Sequence, residues 1–264
     1  YRFRKSNRMS MSAKNPKYIL SYGGGVNTIA LLVLLLKEGA PLDEVVFADT
    51  DAEVPETYEY IKIAEKLLEP RGIPFRWITK KLKGHNLYEH CWAREVIPSI
   101  HWQFSTRDYK IRPIHKYYRS LKAHVNQYLG IAWDEVHRMR DSWGPYVTNI
   151  YPLIDKRITR AGCLAIIRDA GLPEPVRSSC YFCPFNSVER WQFLHAKHPN
   201  LFEQAVALEE HSKHFPKQLL TNLAFSHKKE KLTLRQLGQR FDDGYKVPKQ
   251  LEMALAPCGA ECDT

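Results

Sequence analysis

Over the first eighty positions, apolar residues come in short blocks divided by glycine, proline and polar clusters. Lys17-Tyr-Ile-Leu20 has strand length and runs into Ser21-Tyr-Gly-Gly-Gly25. Val26 to Lys37 is apolar over most of its turns and is closed by Gly39 and Pro41, which predicts a helix. Val45-Val-Phe-Ala48 is a second strand-length run, ending at Asp49-Thr50-Asp51. From Val54 to Leu68 the residues Ile61, Ala64, Leu67 and Leu68 recur at helical spacing, until Pro70 and Gly72 stop the pattern. Pro74 to Thr79 predicts a third strand. Strands and helices alternating in this way predict a parallel sheet with crossover helices.

Beyond Gly84 the pattern weakens. Pro113 to Leu129 reads as helical, Thr148 to Ile154 as a further strand, and Thr159 to Ala170 as a helix stopped by Gly171 and Pro173. A cysteine-containing segment, 178–185, precedes helices expected around 187–197, 200–213 and 233–241, and Leu255 to Thr264 reads as loop. No linker stands out. The expected organisation is a basic, flexible leader (1–16), an α/β nucleotide-binding domain (17–175) and a part with cysteines and helices (176–264) packed on it. The predicted fold class is α/β: a Rossmann-like, twisted parallel sheet with a C-terminal helical, Cys-containing part.

Charge sharpens this picture. Among 264 residues, 39 Lys and Arg face 29 Asp and Glu, a formal net charge of +10. Residues 1–18 carry six cations and no acid, and residues 107–122 carry Arg107, Lys110, Arg112, Lys116, Arg119 and Lys122 against the single acid Asp108. Such clusters suit a phosphate-bearing partner, or else form a solvated basic face and a tail. The longest apolar run, Ile29 to Leu36, spans eight residues, against the roughly 20 that a membrane helix needs. A cytoplasmic protein without a membrane partner is expected. Six cysteines are too few for a disulfide scaffold at this length, whereas Cys180-Tyr-Phe-Cys183 has a spacing used by metals and by redox chemistry.

The segment Ser21-Tyr-Gly-Gly-Gly-Val-Asn-Thr28 falls between a predicted strand and a predicted helix. Glycines there let backbone N–H groups approach an anion, the helix start adds partial positive charge, and Ser21 and Thr28 add hydroxyls. It is neither the Walker pattern nor the dinucleotide G-x-G-x-x-G. Phe47 to Thr57 places Asp49 and Asp51 at the C-terminal end of the second strand, where open α/β sheets bind ligands. They suit a ribose, an adenine amine or a metal, or simply a turn and helix start. Cys163, Cys180 and Cys183 offer three thiolates, with Cys258, Cys262 or a His as the fourth; four thiolates suit zinc or an iron–sulfur cluster equally. Alternatively, Cys163 and Cys91 are buried small residues. His101, His115, His137 and the tryptophans between residues 90 and 145 either contact a substrate, with aromatics stacking on bases, or pack the core.

The ordered set of motifs resembles the PP-loop, or adenine-nucleotide alpha-hydrolase, superfamily. Ser-x-Gly-Gly-Gly-x-Asn-Thr is similar to its Ser-Gly-Gly-x-Asp-Ser. The Asp-Thr…Pro-Glu-Thr stretch resembles the phosphoadenosine phosphosulfate (PAPS) reductase branch. Ser105 to Pro113 is similar to that branch's Cys-Cys-x-x-x-Lys-x-x-Pro, Tyr151-Pro-Leu-Ile-Asp155 to its Pro-Leu-x-Asp, and Cys180-x-x-Cys183 stands where sulfonucleotide reductases carry theirs. The resemblance implies that ATP or a related adenine nucleotide, with Mg²⁺, binds through Ser21, Gly23, Gly24, Gly25, Asn27 and Thr28. Asp49 and Asp51 would meet the nucleoside or Mg²⁺, and Lys110, Arg112 and Arg107 the phosphates. Cys163, Cys180, Cys183 and Cys262 would hold a [4Fe–4S] cluster or zinc. Members either reduce sulfonucleotides or split ATP to adenylate an oxygen that sulfur then replaces, which implies DNA or RNA and a sulfur-donor protein as partners. Three departures stand against a plain reductase or ATP-splitting member. Asn27 replaces an Asp, Ser105-Thr106 replaces the Cys-Cys pair, and the tail Pro257-Cys-Gly-Ala-Glu-Cys262 lacks the reductases' Glu-Cys-Gly-Leu-His. A small-sulfonucleotide reductase and a non-catalytic nucleotide- or nucleic-acid-binding module are the competing expectations.

Overall fold

The computed structural model describes residues 15–99, 104–212, 219–221 and 232–245. Five strands form one sheet: β1 (Lys17–Tyr22), β2 (Glu44–Asp49), β3 (Phe75–Thr79), β4 (Val125–Leu129) and β5 (Val147–Ile150). Their order is β3-β2-β1-β4-β5 and every pairing is parallel. Parallel neighbours require crossovers. The helices α1 (Val26–Glu38) and α2 (Pro55–Leu68) supply the first two, and α3 (Leu87–Ala93) and α4 (Arg112–Ser120) lie between β3 and β4. The α/β, Rossmann-like expectation is met. The chain moves outward from β1 to β2 and β3, then restarts at β4 on the other side of β1. That reversal opens a crevice at the C-terminal ends of β1 and β4, the place where such sheets bind ligands.

Alternation along the strands builds two apolar layers. Leu20, Tyr22, Val45 and Phe47 face α1, α2 and α6 (Arg160–Asp169), while Ile19, Val46, Ala48 and Val125 face Ile114 and Tyr118 of α4. Helix α1 is sandwiched, so Val26 through Leu32 are all buried, and burying each Leu or Ile contributes roughly 1.5–3 kcal/mol. It ends where Gly39 adopts φ 63° and donates its N–H to Leu35 O. The two aliphatic layers leave the C-terminal ends of β1 and β2, where Ser21 and Asp49 stand, to polar residues.

The expected helix from Pro113 to Leu129 is corrected: α4 ends at Ser120 and residues 125–129 are the sheet strand β4. Val125, Tyr128 and Leu129 recur at helical spacing, yet β4 pairs with β1 and β5 and is covered on both faces, so alternation has no solvent side to show. The expected strand Thr148–Ile154 is shortened to β5, and Pro152 opens the short helix α5 (Pro152–Asp155).

The helices α7 (Val188–Lys197), α8 (Pro199–His211) and α9 (Leu234–Asp242) form a third layer. Trp191, Leu194, Phe202 and Leu237 share one core with Leu87 and Cys91 of α3 and with Tyr109. That core fastens the segment carrying Tyr181 and Phe182 against the mouth of the sheet. Residues 1–14, with most of the basic leader, and residues 246–264, with Cys258 and Cys262, lie outside the described residues, as do His101 and Trp102.

Candidate active site

The glycine segment forms a tight loop between β1 and α1. Gly24 has φ +75°, and a β-carbon there would lie 2.9 Å from Thr57 Cγ2. Gly25 is the N-cap of α1 and brings no side-chain cap, and no acid stands in the helix's first turn. No side-chain cap and no acid engages the first-turn N–H groups, which leaves their partial positive charge available. Gly130, just past β4, presses on the loop: a β-carbon there would lie 2.7 Å from Thr28 Cγ2 and 2.9 Å from Thr28 Cα. From the other side Ser178 covers the loop, its Oγ 3.0 Å from where a Gly25 β-carbon would stand.

One cleft of about 650 Å³, open mouth included, begins at this loop. It is lined by Gly23, Thr50, Thr106, Lys110, Cys180 and Cys183, among others. Lys110 arrives on a π-helical segment, Ser105–Ile111, whose wide turn runs straight into α4. Its ammonium lies 3.3 Å from Glu53 Oε1, a carboxylate almost wholly buried. Glu53 forms a β-bridge with Cys180, and Tyr181 N–H donates to Ala52 O at 2.9 Å, so the cysteine segment is stitched to the end of β2. Thr50 Oγ1 and Thr57 Oγ1 are buried hydroxyls with no hydrogen-bond partner among the described residues. One lines the cleft and the other abuts Gly24. Uncapped first-turn N–H groups, two unspent hydroxyls and an ammonium are the donor set a phosphate chain requires.

Asn27 does not point into that cleft. It is buried, and its Nδ2 donates to Glu135 Oε2 at 2.7 Å, the same oxygen that pairs with buried Arg138 at 3.0 Å. Thr28 donates its hydroxyl to Gly25 O at 3.0 Å, bracing the loop from within. Ser21 faces the α4 side of the sheet and lines a different cleft. Asp49 and Asp51 build the turn after β2. Asp49 Oδ1 accepts from Asp51 N–H at 2.8 Å and from the Tyr58 hydroxyl at 3.0 Å, while Asp51, at φ 57°, accepts from Asn86 Nδ2. Arg107 and Arg112 both grip Asp108, at 3.0 and 2.6 Å, and are about half exposed. Hydrogen bonding from Arg107 in particular holds the Asp108 carboxyl below its usual range. Of the three basic candidates, Lys110 alone lines the cleft.

The expected four-cysteine set is not assembled among the described residues. Cys163 sits on α6 in the core beneath α1, apart from Cys180 and Cys183, which line the cleft. Burial pushes its thiol up to about 12, the state of an inert packing residue rather than a thiolate ligand. Cys91 is likewise buried, in the core shared with α7 and α8, and its thiol is pushed up by burial. Cys262 lies outside the described residues. No group of three or more His, Cys, Asp or Glu among the described residues is placed to hold a metal ion. Cys163 thus stands apart from the cleft, which retains a C-x-x-C pair, with Cys180 half-buried and Cys183 buried.

Glu53, Glu135, Gly130 and Ser178 carry much of this geometry without having stood out in the sequence. Gly130 directly follows a strand that was read as helix, and Glu135 reaches Asn27 across 108 positions. Ser178 belongs to a segment whose cysteines drew attention first.

Residues 17–129 match the family model of the phosphoadenosine phosphosulfate reductase domain. The matched region spans β1 to β4 and includes the glycine loop and Lys110. Among solved structures, the U34-tRNA thiolase NcsA from Methanococcus maripaludis, with its [4Fe-4S] cluster, is similar at a TM-score of 0.45 and 18% identity, over 76% of this chain and 72% of that one. No curated protein sequence matches the chain.

Proposed function

We propose that the protein is an ATP-dependent enzyme that adenylates an oxygen of a nucleic acid and replaces it with sulfur. The observation that carries this reading is one cleft lined by Gly23, Lys110, Cys180 and Cys183. The phosphates of ATP would lie on the loop N–H groups, with the Thr50 hydroxyl and the Lys110 ammonium beside them. Mg²⁺ accompanying the nucleotide would neutralise charge on the phosphates. The acceptor oxygen attacks Pα, the bond from Pα to the bridging oxygen breaks, and pyrophosphate leaves. Catalysis in this step is positioning and charge stabilisation by fixed donors.

Sulfur transfer then falls to the cysteine pair. Cys180, the more exposed, accepts a sulfane sulfur from a persulfide-bearing donor protein. Its terminal sulfur attacks the adenylated carbon and AMP departs. Cys183 then attacks the Cys180 sulfur, which releases the thiolated product and leaves a disulfide for an external thiol to reduce. The +10 charge and the cations of α4 and its preceding turn suit a polyanionic acceptor.

The test is release of pyrophosphate and AMP from ATP, with and without single-stranded RNA or DNA. The expected result is nucleic-acid-dependent pyrophosphate release, reduced about 100-fold by Lys110→Met, the usual scale for losing one charge-stabilising donor. Thiol-dependent sulfite release from PAPS instead would assign the domain to sulfonucleotide reduction. Nucleotide binding without turnover of either substrate would make the protein a binding module.

A further inference from the structure

A second cleft, of about 500 Å³ with its mouth, opens on the α4 face of the sheet, where Ser21 points away from the glycine loop and α1. We propose that it receives one unpaired base of a single-stranded nucleic acid. The proposal rests on the nucleic-acid acceptor above and names where that acceptor's base is held.

Two side chains make this a built site. Gln127, on β4, is only 7% exposed, lines the cleft and has no hydrogen-bond partner among the described residues. Its amide offers the paired donor and acceptor that a base edge presents. His115, on α4, is 8% exposed; only its Nδ1 is engaged, with the Tyr146 hydroxyl at 3.3 Å. Burial first, then Arg119, lowers its pKa to about 4, so the ring is neutral and its other nitrogen adds a further polar contact.

The walls suit a flat, uncharged ring. Ile114 and Leu129 are apolar, and Trp143 stacks on His115 with centroids 5.0 Å apart and planes 26° apart, while remaining 52% exposed. Arg140 and Asp141 share the rim and oppose each other in sign, so the cleft does not select a charged group. A strand rather than a free base fits what surrounds it. The segment leading to Trp143 also exposes Trp133, Val136 and Met139, with Arg157 5.6 Å over the Trp133 ring. The helix forming the opposite wall belongs to the basic stretch 107–122, which holds six cations and one acid. Exposed aromatics beside a cationic track are how single strands are bound through stacked bases and phosphates.

The experiment is photo-crosslinking of a short single-stranded RNA carrying 5-iodouridine, mapped by mass spectrometry, together with binding titrations over a range of salt. The expected crosslink falls on Trp143 or its cleft neighbours and persists in excess ATP. Trp143→Ala and Gln127→Leu each weaken RNA binding about 5- to 20-fold with an unchanged salt slope, since phosphate contacts are untouched. ATP binding is unaffected in both variants. Loss of the crosslink on adding ATP would give the cleft to the nucleotide's own adenine and overturn the proposal. Tight RNA binding with crosslinks elsewhere would overturn the base site but leave the acceptor class standing. No RNA binding would overturn both.

Discussion

Asn27 and Glu135 share a hydrogen bond of 2.7 Å in a buried pocket closed by Arg138, and this small network anchors the start of α1 beneath the glycine loop. The Ser-Gly-Gly-x-Asp-Ser motif that the glycine loop resembles has Asp at this position. Here an aspartate would face a second carboxylate rather than a donor, so the amide and Glu135 are matched to each other. Asn27→Asp is therefore expected to destabilise the fold by about 3 kcal/mol, the scale of an uncompensated buried charge. The carboxylate pair would hold a proton with a raised pKa. The folded variant then binds more protons than the unfolded chain, and its stability falls as pH rises through the carboxylate range and beyond. Denaturant titrations of both forms at pH 5 and pH 8 check this; a variant as stable as the parent at pH 8 would show that the pair is not buried together. The substitution of Asn for Asp was plain in the sequence, but its meaning was not, because the partner lies 108 residues away.

At the scale of elements, the ends of β1 and β4 and the start of α4 fix the two clefts. Gly130 permits the close approach, with 3.0 Å or less from its would-be β-carbon to Thr28 N, Cα and Cγ2. Gly130→Ala should push the loop aside, lowering ATP affinity at least tenfold for about 1–3 kcal/mol of overpacking strain. Calorimetric titration with ATP beside a melting curve measures both effects. Helix α4 carries a pH dependence of its own. The His115 pKa is lowered from 6.5 to about 4, so between these values the folded protein binds fewer protons than the unfolded chain. Stability contributed by the neutral ring is complete above pH 6.5 and declines as pH falls toward 4. His115→Phe should flatten the stability profile across that window; an unchanged slope would place the imidazole in water.

β1, α1 and α2 were legible because a glycine or proline follows each apolar block closely, and β2 and β3 because their short apolar runs stop at polar residues, Asp49-Thr50-Asp51 and Thr79-Lys80-Lys81. β4 was not, because a strand buried on both faces loses its period of two, and Asn126 and Gln127 within it imitate a helix surface. The glycine loop was legible as a turn with chemistry. That Lys110, but neither Arg107 nor Arg112, reaches the cleft depends on Asp108 holding the two arginines, a contact that composition cannot display.

For the whole molecule, the helices after residue 186 act by packing. Their core with α3 and Tyr109 holds residues 178–185 over the glycine loop, so two sequence-distant motifs face one space. Among the described residues, no helix is long and apolar enough to cross a membrane. In the proposed reaction the nucleotide and the cysteine pair occupy one cleft. The most direct test is the alkylation rate of each cysteine, read by mass spectrometry with and without ATP. Bound ATP should slow modification of half-buried Cys180 several-fold, while Cys91 and Cys163, buried in separate cores, stay slow throughout. ATP that binds at the glycine loop yet leaves the Cys180 rate unchanged would contradict the claim.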